Sequence, residues 1–462
     1  MKNTITLLLL TIFSFSNAQN FSQLGQSIYG PYTNGHLGWA TAINDDGSII
    51  VTSGPNSNVT DSLSGLVQAY SYNGTNWTQM GQDIYGAYGE AAGVQIDING
   101  AGDRIVIGYP GGVTGVTNIA SIPGKVKIYD YDGSNWIQLG QDIVISLIND
   151  GVGNSVSMDQ SGNIIAFSKS ITSSTNGPYD PQQIMVYEWD GNSWNQKGNS
   201  IIEGDTQIYN PMTMGCELSG NGNRIAVSLR YPIGVNIPQG IWCCGGGDQG
   251  AVNVYEYDGV NWVQLGNEIY VDEPDTTILS TDGFGLAWAR NGEAMSFNDD
   301  GTILAIGAGQ ILSGTGYVNV YQINNQNAWS ILGDTITPSI SSTNFGGTSL
   351  GSYFGASVSI NNSGTRLVVG QPHLDNVNGN GNLAGRASLY EFYNNSWIES
   401  SNDVAGDTFT MTAWSVSISG NGNHFMVGSR WANGGVGYTG SVEVYAIESY
   451  NCTAVGCVDP GD

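Results

Sequence analysis

From Ala356 the chain reads ASVSI, small or polar positions alternating with apolar ones, and from Arg366 it reads RLVVG, a nearly unbroken apolar run. Alternation marks a strand with two unlike faces, and a short continuous apolar run suits a strand buried on both. Between them lies Asn361-Asn362-Ser363-Gly364, a tight-turn signal. After a variable loop comes ASLYEF from Ala387, alternating again, then a polar turn and WIES from Trp397. The pattern predicts four short antiparallel strands in one sheet.

The same rhythm recurs. Seven copies of the first turn can be read: NDDG from Asn44, NGAG from Asn99, DQSG from Asp159, SGNG from Ser219, NDDG from Asn298, NNSG from Asn361 and SGNG from Ser419. Third strands follow in step at Val67, Val126, Ile184, Val252, Val318, Ala387 and Val442. A unit of roughly 60 residues repeated in this way predicts an all-β fold, a seven-bladed β-propeller of four-stranded antiparallel blades.

Six third strands are followed by a fourth, anchored by Trp77, Trp136, Trp194, Trp262, Trp329 and Trp397. The seventh, VEVYAI from Val442, has no such successor, whereas the missing ending stands ahead of the first unit, FSQLGQSIYG from Phe21. The N-terminal strand is therefore expected to pair with Val442 to Ile447 and close the ring, covering an otherwise open edge. The recurring tryptophans are expected to pack between blades. Cys216, which aligns with Val416 on an inner strand, reads as a small core residue.

At Phe354-Gly355 and Gly370-Gln371-Pro372 the unit resembles the FG-GAP repeats of integrin α-subunit propellers. It resembles more closely the secreted bacterial and algal repeats of the form GxVxVYxYDGxxWxQLGxxI, and the likeness extends from Phe21 to Ile447. Integrin-type blades bind calcium in the first turn, so the resemblance directs attention to Asp45 with Asp46 and to Asp299 with Asp300, the only turns with paired carboxylates. Calcium takes six to eight oxygens, and these turns supply few. They read as hairpin chemistry, with no cofactor expected and calcium at those four residues as the alternative. The C-terminal YNCTAVGCVDPGD from Tyr450 resembles a Cys-containing spacer of exported Bacteroidetes proteins, and residues 449–462 read as a C-terminal tail or linker.

The first residues place Lys2 ahead of an apolar run from Ile5 to Phe15, then Ser16-Asn17-Ala18. This is the layout of a signal peptide over residues 1–18, with a propeller over 19–448 and a secreted or cell-surface location. The run is too short to span a bilayer, so no membrane insertion is expected. A formal net charge of −27 opposes nucleic acid and anionic lipid as partners. A monomer is expected. Disulfides at Cys243–Cys244 and Cys452–Cys457 are left open, and with His36, His373 and His424 the only histidines a Cys/His zinc site is not expected.

Length variation concentrates on one face of the predicted disc. Long connections run from Tyr109 to Gly124, Lys169 to Gln183, Leu229 to Gly250 and Gln371 to Gly385, with long crossovers from Tyr270 to Asn291 and Thr337 to Phe354. Such loops are where binding concentrates. They carry Tyr109, Tyr179, Tyr231, Trp242, Trp288, Tyr353, Trp431 and Tyr438, which either stack on sugar rings or pack their own loops down. No Ser/His/Asp arrangement is evident; Asp272, Glu273, Asp275, Asp282 and Glu293 are the acidic residues near one crossover from which a hydrolytic pair would come. The expectation is a non-catalytic recognition or adhesion propeller for a glycan or surface protein. A carbohydrate-active propeller enzyme, hydrolase or lyase, and a structural surface-layer component are the alternatives.

Overall fold

The computed structural model describes residues 20–111, 122–145, 151–169, 183–202, 212–231, 249–270, 295–309, 316–340, 352–375, 383–432 and 437–448. Their strands form seven antiparallel sheets, each a meander in chain order. Blades I to VI span residues 41–84, 96–138, 156–202, 212–270, 295–331 and 357–405. Blade VII takes three strands from 412–447 and its last from the N-terminus. The chain is a seven-bladed β-propeller. Second strands are the most deeply buried, as their apolar runs require: Ile105, Val106 and Ile107 are fully buried, as are Leu367, Val368 and Val369.

The expected clasp is present. Phe21–Gln23 pairs with the strand Ser441–Ile447 through Phe21↔Ile447 and Gln23↔Tyr445, and Ile28–Tyr29 pairs with it again through Ile28↔Val442. Residues 24–27 bulge between the two pairings. Phe21 packs edge-on against Phe425 and Tyr445, with ring centroids 4.9 and 5.5 Å away.

The bulge explains the QLGQ ending. A glycine at positive φ, Gly25, Gly81 and Gly140 among them, turns the chain out of its own sheet. The next residue then reaches the following blade. Gln26 accepts from the backbone N–H of Trp77 at 2.9 Å and donates to its carbonyl at 2.8 Å. Gln82 does the same with Trp136, and Gln141 with Trp194. The indole N–H of each recurring tryptophan donates to the preceding blade's fourth-strand ending, at the carbonyls of Leu24, Met80, Leu139, Lys197, Leu265 and Leu332, over 2.8 to 3.1 Å. These tryptophans join the blades.

The inner edges need a different device. Each first strand lines the central channel as an edge strand, with backbone groups that its own sheet leaves unpaired. The previous blade caps them with side chains: Ser155 and Ser157 accept from Cys216 and Leu218, Ser296 from Ile360, and Ser357 and Ser359 from Val416 and Ile418, at 2.9 to 3.1 Å. This is the physical reason for the alternating serines of ASVSI.

At one mouth of the channel the first turns are linked head to tail. Backbone N–H groups donate from Asp45 to Gly100, Gly100 to Gln160, Gln160 to Gly220, Asn221 to Asp299, Asp299 to Asn362, Asn362 to Gly420 and Asn421 to Asp45, over 2.8 to 3.2 Å. The seven bonds close on themselves. At the opposite face, adjacent blades touch backbone to backbone: a Cβ on Gly307 would collide with the Gly355 carbonyl, and one on Gly440 with that of Leu37. Gly355 itself holds a φ of +85°, and a Cβ there would press on the Tyr317 carbonyl at 2.8 Å, so both glycines of this contact are needed for close approach.

Deleting residues 20–28 removes the Phe21–Gln23 pairing, the Ile28↔Val442 pair and the Gln26 and Leu24 bonds to Trp77. The melting temperature is expected to fall by on the order of 5 °C or more, read by calorimetry. An unchanged value would contradict the clasp.

Candidate functional site

The channel has a volume of about 170 Å³ and is lined by first strands from all seven blades. At the ring mouth, Asp45, Gln160, Asp299 and Asn362 fill space left by Gly100, Gly220 and Gly420. Asn362 donates to Asp45 at 3.1 Å, and Gln160 donates to Asn362 at 3.1 Å. Burial, then Asp45 and Asp300, raises the Asp299 carboxyl above its ordinary range.

Asp46 and Asp300 face elsewhere. Asp46 accepts from the Ser48 backbone and hydroxyl, and Asp300 from those of Thr302. Burial would raise both, but these hydrogen bonds outweigh it and hold both carboxyls low. The two carboxylates of each turn therefore do not converge. Asp45 instead shares the mouth with Asp299 from the other side of the ring, and among the described residues no three His, Cys, Asp or Glu side chains come together.

Deeper in the channel, two blades place a carboxylate where blades III, V, VI and VII have serine. Asp97 takes the capping position in blade II and accepts from the Met158 N–H at 2.7 Å. Glu217 holds the matching position in blade IV, and Ser157 of blade III hydrogen-bonds to both carboxyls. Burial pushes Asp97 up to about 6, partly offset by its backbone bonds, and burial followed by the Asp97 charge pushes Glu217 well above the carboxylate range.

The opposite face carries a different chemistry. Blade VII supplies Trp414 in its first strand, Thr412–Ile418, and Arg430 and Trp431 just after its second, His424–Ser429. Blade I supplies His36 and Trp39 ahead of its first strand, Thr41–Ile43. The Arg430 guanidinium carbon lies 3.3 Å from the centre of the Trp414 ring and 5.2 Å from those of Trp39 and Trp431. Its Nε donates to Met411 Sδ at 3.3 Å. Trp39 and Trp414 are 5.7 Å apart, and His36 lies parallel to Trp39 at 6.5 Å. Trp431 packs 6.0 Å from Tyr438, which is 50% exposed. In blade VI, Tyr353 and His373 pack at 4.1 Å. Burial, then Arg430, lowers both His36 and His373 to about 4, so both are neutral at pH 7. Trp414 is 8% exposed, and its Nε1 has no hydrogen-bond partner.

Of the aromatics expected on this face, Trp431 and Tyr438 are brought together and Tyr353 sits nearby, buried against His373. Tyr109 belongs to the second strand Arg104–Tyr109, is 1% exposed, and meets the Tyr129 hydroxyl at 3.2 Å. It is a core residue, not part of a displayed loop. Tyr231 ends the strand Arg224–Tyr231. Tyr179, Trp242 and Trp288 lie outside the described residues, as do Asp272, Glu273, Asp275, Asp282, Glu293 and the cysteines other than Cys216. Cys216 is buried and free.

Sequence reasoning missed Trp39, Trp414, Arg430, His36 and His373 as a group, and Asp97 with Glu217. A signal was present. Trp39 and Trp414 stand four residues before the end of their first strands, where blades II and VI have Val94 and Ala356. Asp97 and Glu217 likewise replace a serine or alanine one residue before that end. Departures from the repeat, rather than the repeat, mark the chemistry.

No family model matches this chain, and neither does any curated protein. Among solved structures it is similar to the Dos1 propeller, at 9% identity and TM-score 0.47, covering 92% of this chain and 95% of that one. It is similar also to a Lactobacillus plantarum protein, at 10% identity and TM-score 0.46, covering 83% and 87%. A Bacteroides uniformis protein provisionally described as a 6-phosphogluconolactonase matches at 11% identity and TM-score 0.44, covering 80% and 86%.

Because folding raises the Asp97 and Glu217 carboxyls, their contribution to stability is present below the ordinary carboxylate pKa and lost as pH rises through about 6 and beyond. Glu217→Gln is therefore expected to raise the melting temperature by on the order of 2 °C or more at pH 8 and to leave it nearly unchanged at pH 4. An equal shift at both would show that the pair does not hold a proton in the folded state.

Proposed function

We propose that this chain is a secreted FG-GAP-like recognition propeller, exported by residues 1–18, that binds a glycan through the platform where blades VII and I meet. The observation that carries the reading is the aromatic group of Trp39, Trp431 and Tyr438, partly or half exposed, with Trp414 buried among them, beside Arg430 on the face that bears the long connections. Aromatic rings offer broad apolar faces with polar edges, which is what a sugar ring, apolar across its axial hydrogens and polar at its rim, requires.

Binding without turnover is the better reading of the carboxyl pair as well. Asp97 and Glu217 could in principle serve as acid and base, but they sit inside a channel of about 170 Å³. Ligand pockets ordinarily begin near 300 Å³, which counts against a sugar chain as the occupant of this channel. The serine-capped inner edge gives the pair a structural role instead.

The test is retention of the purified chain on a panel of surface and storage polysaccharides, with product release followed in the same samples and calcium present or chelated. Retention without products is expected, unaffected by chelation. Tyr438→Ala and Trp431→Ala should each weaken binding about tenfold, with little change in melting temperature for the exposed Tyr438. Product release would establish an enzyme, and absence of retention would leave the platform without a glycan ligand.

A further inference from the structure

We infer that the channel holds an alkali-sensitive lock: a single proton, carried by Glu217, ties blades II, III and IV together, and its loss loosens the caps between these blades while the serine-capped seams of blades V to VII hold. The lock lies inside the ring and does not depend on what the platform binds.

Ala42 of blade I stands where a side chain from that blade would cap Ile98, and a methyl group accepts nothing. Asp97 takes over. One of its oxygens accepts from the Ile98 N–H at 2.8 Å, and the other accepts from the Met158 N–H of blade III at 2.7 Å. Ser157 comes next in the ring. Its Oγ accepts from the Leu218 N–H of blade IV at 3.0 Å and hydrogen-bonds to both carboxyls. A hydroxyl has one proton to give. It can donate to Asp97 or to Glu217, and the remaining contact is a hydrogen bond only where that carboxyl brings a proton of its own. Asp97, already fixed by two backbone donors, is the member favoured in its charged form. The proton therefore resides on Glu217, which donates to Ser157, which donates to Asp97. Ser157 is then fully used, with two bonds accepted and one given.

The surroundings offer no counter-charge in place of that proton. The ionisable groups that face the pair from adjoining strands and turns are Asp159, whose charge opposes ionisation of Asp97, the Cys216 thiol, which burial pushes up to about 12, and Asp45 and Asp299 at the mouth. Among the described residues, no lysine, arginine or histidine lines the channel. Ser296, Ser359 and Ser417 hold the matching position in blades V to VII, and none of them ionises. Once Glu217 loses its proton, two carboxylates share one hydroxyl away from bulk water, and like charges so placed repel. The bonds that yield are Met158 to Asp97 and Leu218 to Ser157, which cross from blade II to III and from III to IV. Ile360, Val416 and Ile418 are capped by Ser296, Ser357 and Ser359, so their seams carry no charge to gain.

The test is amide hydrogen exchange on the full chain, read at Met158 and Leu218 against Ile360, Val416 and Ile418 and corrected for the intrinsic pH dependence of exchange. Closure raises the Glu217 carboxyl above its ordinary range, so its contribution is complete below that range and is lost as pH rises through the closed-state value. Across that interval, protection at Met158 and Leu218 is expected to fall by up to about tenfold per pH unit, while the other three amides hold theirs. Glu217→Gln, whose amide donates to Ser157 at every pH, should flatten the dependence. Infrared spectra of the unaltered chain read the same proton even if the variant folds poorly: a protonated-carboxyl C=O band is expected at pH 7 and should disappear in alkali. A fall shared equally by all five amides, a dependence that persists in Glu217→Gln, or no such band at pH 7 would overturn the lock. A band that survives in Glu217→Gln and vanishes in Asp97→Asn would overturn the assignment of the proton to Glu217.

Discussion

Seven edge strands face one another around the channel, and none can hide its inner edge in a sheet. The protein answers with side chains from the neighbouring blade, and with seven backbone hydrogen bonds that run from turn to turn and return to Asp45. A chain of such bonds with free ends would leave one donor and one acceptor unpaired. A closed one leaves none. The outer rim is closed in the same sense, since each fourth-strand ending grips the next blade's tryptophan and the N-terminal Leu24-Gly25-Gln26 grips Trp77.

The proposed binding platform stands over the seam where this closure is made. Trp39 and His36 come from the first complete blade, Trp414, Arg430 and Trp431 from the last, and the Leu37↔Gly440 bridge ties the two together between them. A ligand seated there would touch both ends of the ring. Fold and site are thus coupled: the clasp that completes blade VII also brings the two halves of the platform into register.

The architecture was legible in the sequence because it is repeated. Turns, third strands and tryptophans each recur in step, and the missing seventh ending pointed to the N-terminal strand. Local rules explain less of the site. Tyr109 looks like the start of a long loop, yet it is the last residue of a second strand buried on both faces and so belongs to the core. Asp45 and Asp46 look like a pair in sequence, yet neighbouring residues in a tight turn point apart, one to the channel and one back to Ser48. Trp39, Trp414 and Arg430 lie far apart along the chain or sit inside strands, and only ring closure makes them neighbours. Asp97 and Glu217 were hidden as two acids among many, until the serines at the matching position of blades III, V, VI and VII showed that they occupy one level of the channel.

Hydrogen exchange tests the dependence on closure most directly. If the ring has no end, the amides of Asp45, Gly100, Gln160, Asn221, Asp299, Asn362 and Asn421 open only with global unfolding. They should then share one protection free energy in the intact chain and lose it together when residues 20–28 are removed. Graded protection in the intact chain, with Asp45 and Asn421 exchanging ahead of the rest, would show that the blades stand independently and contradict the account.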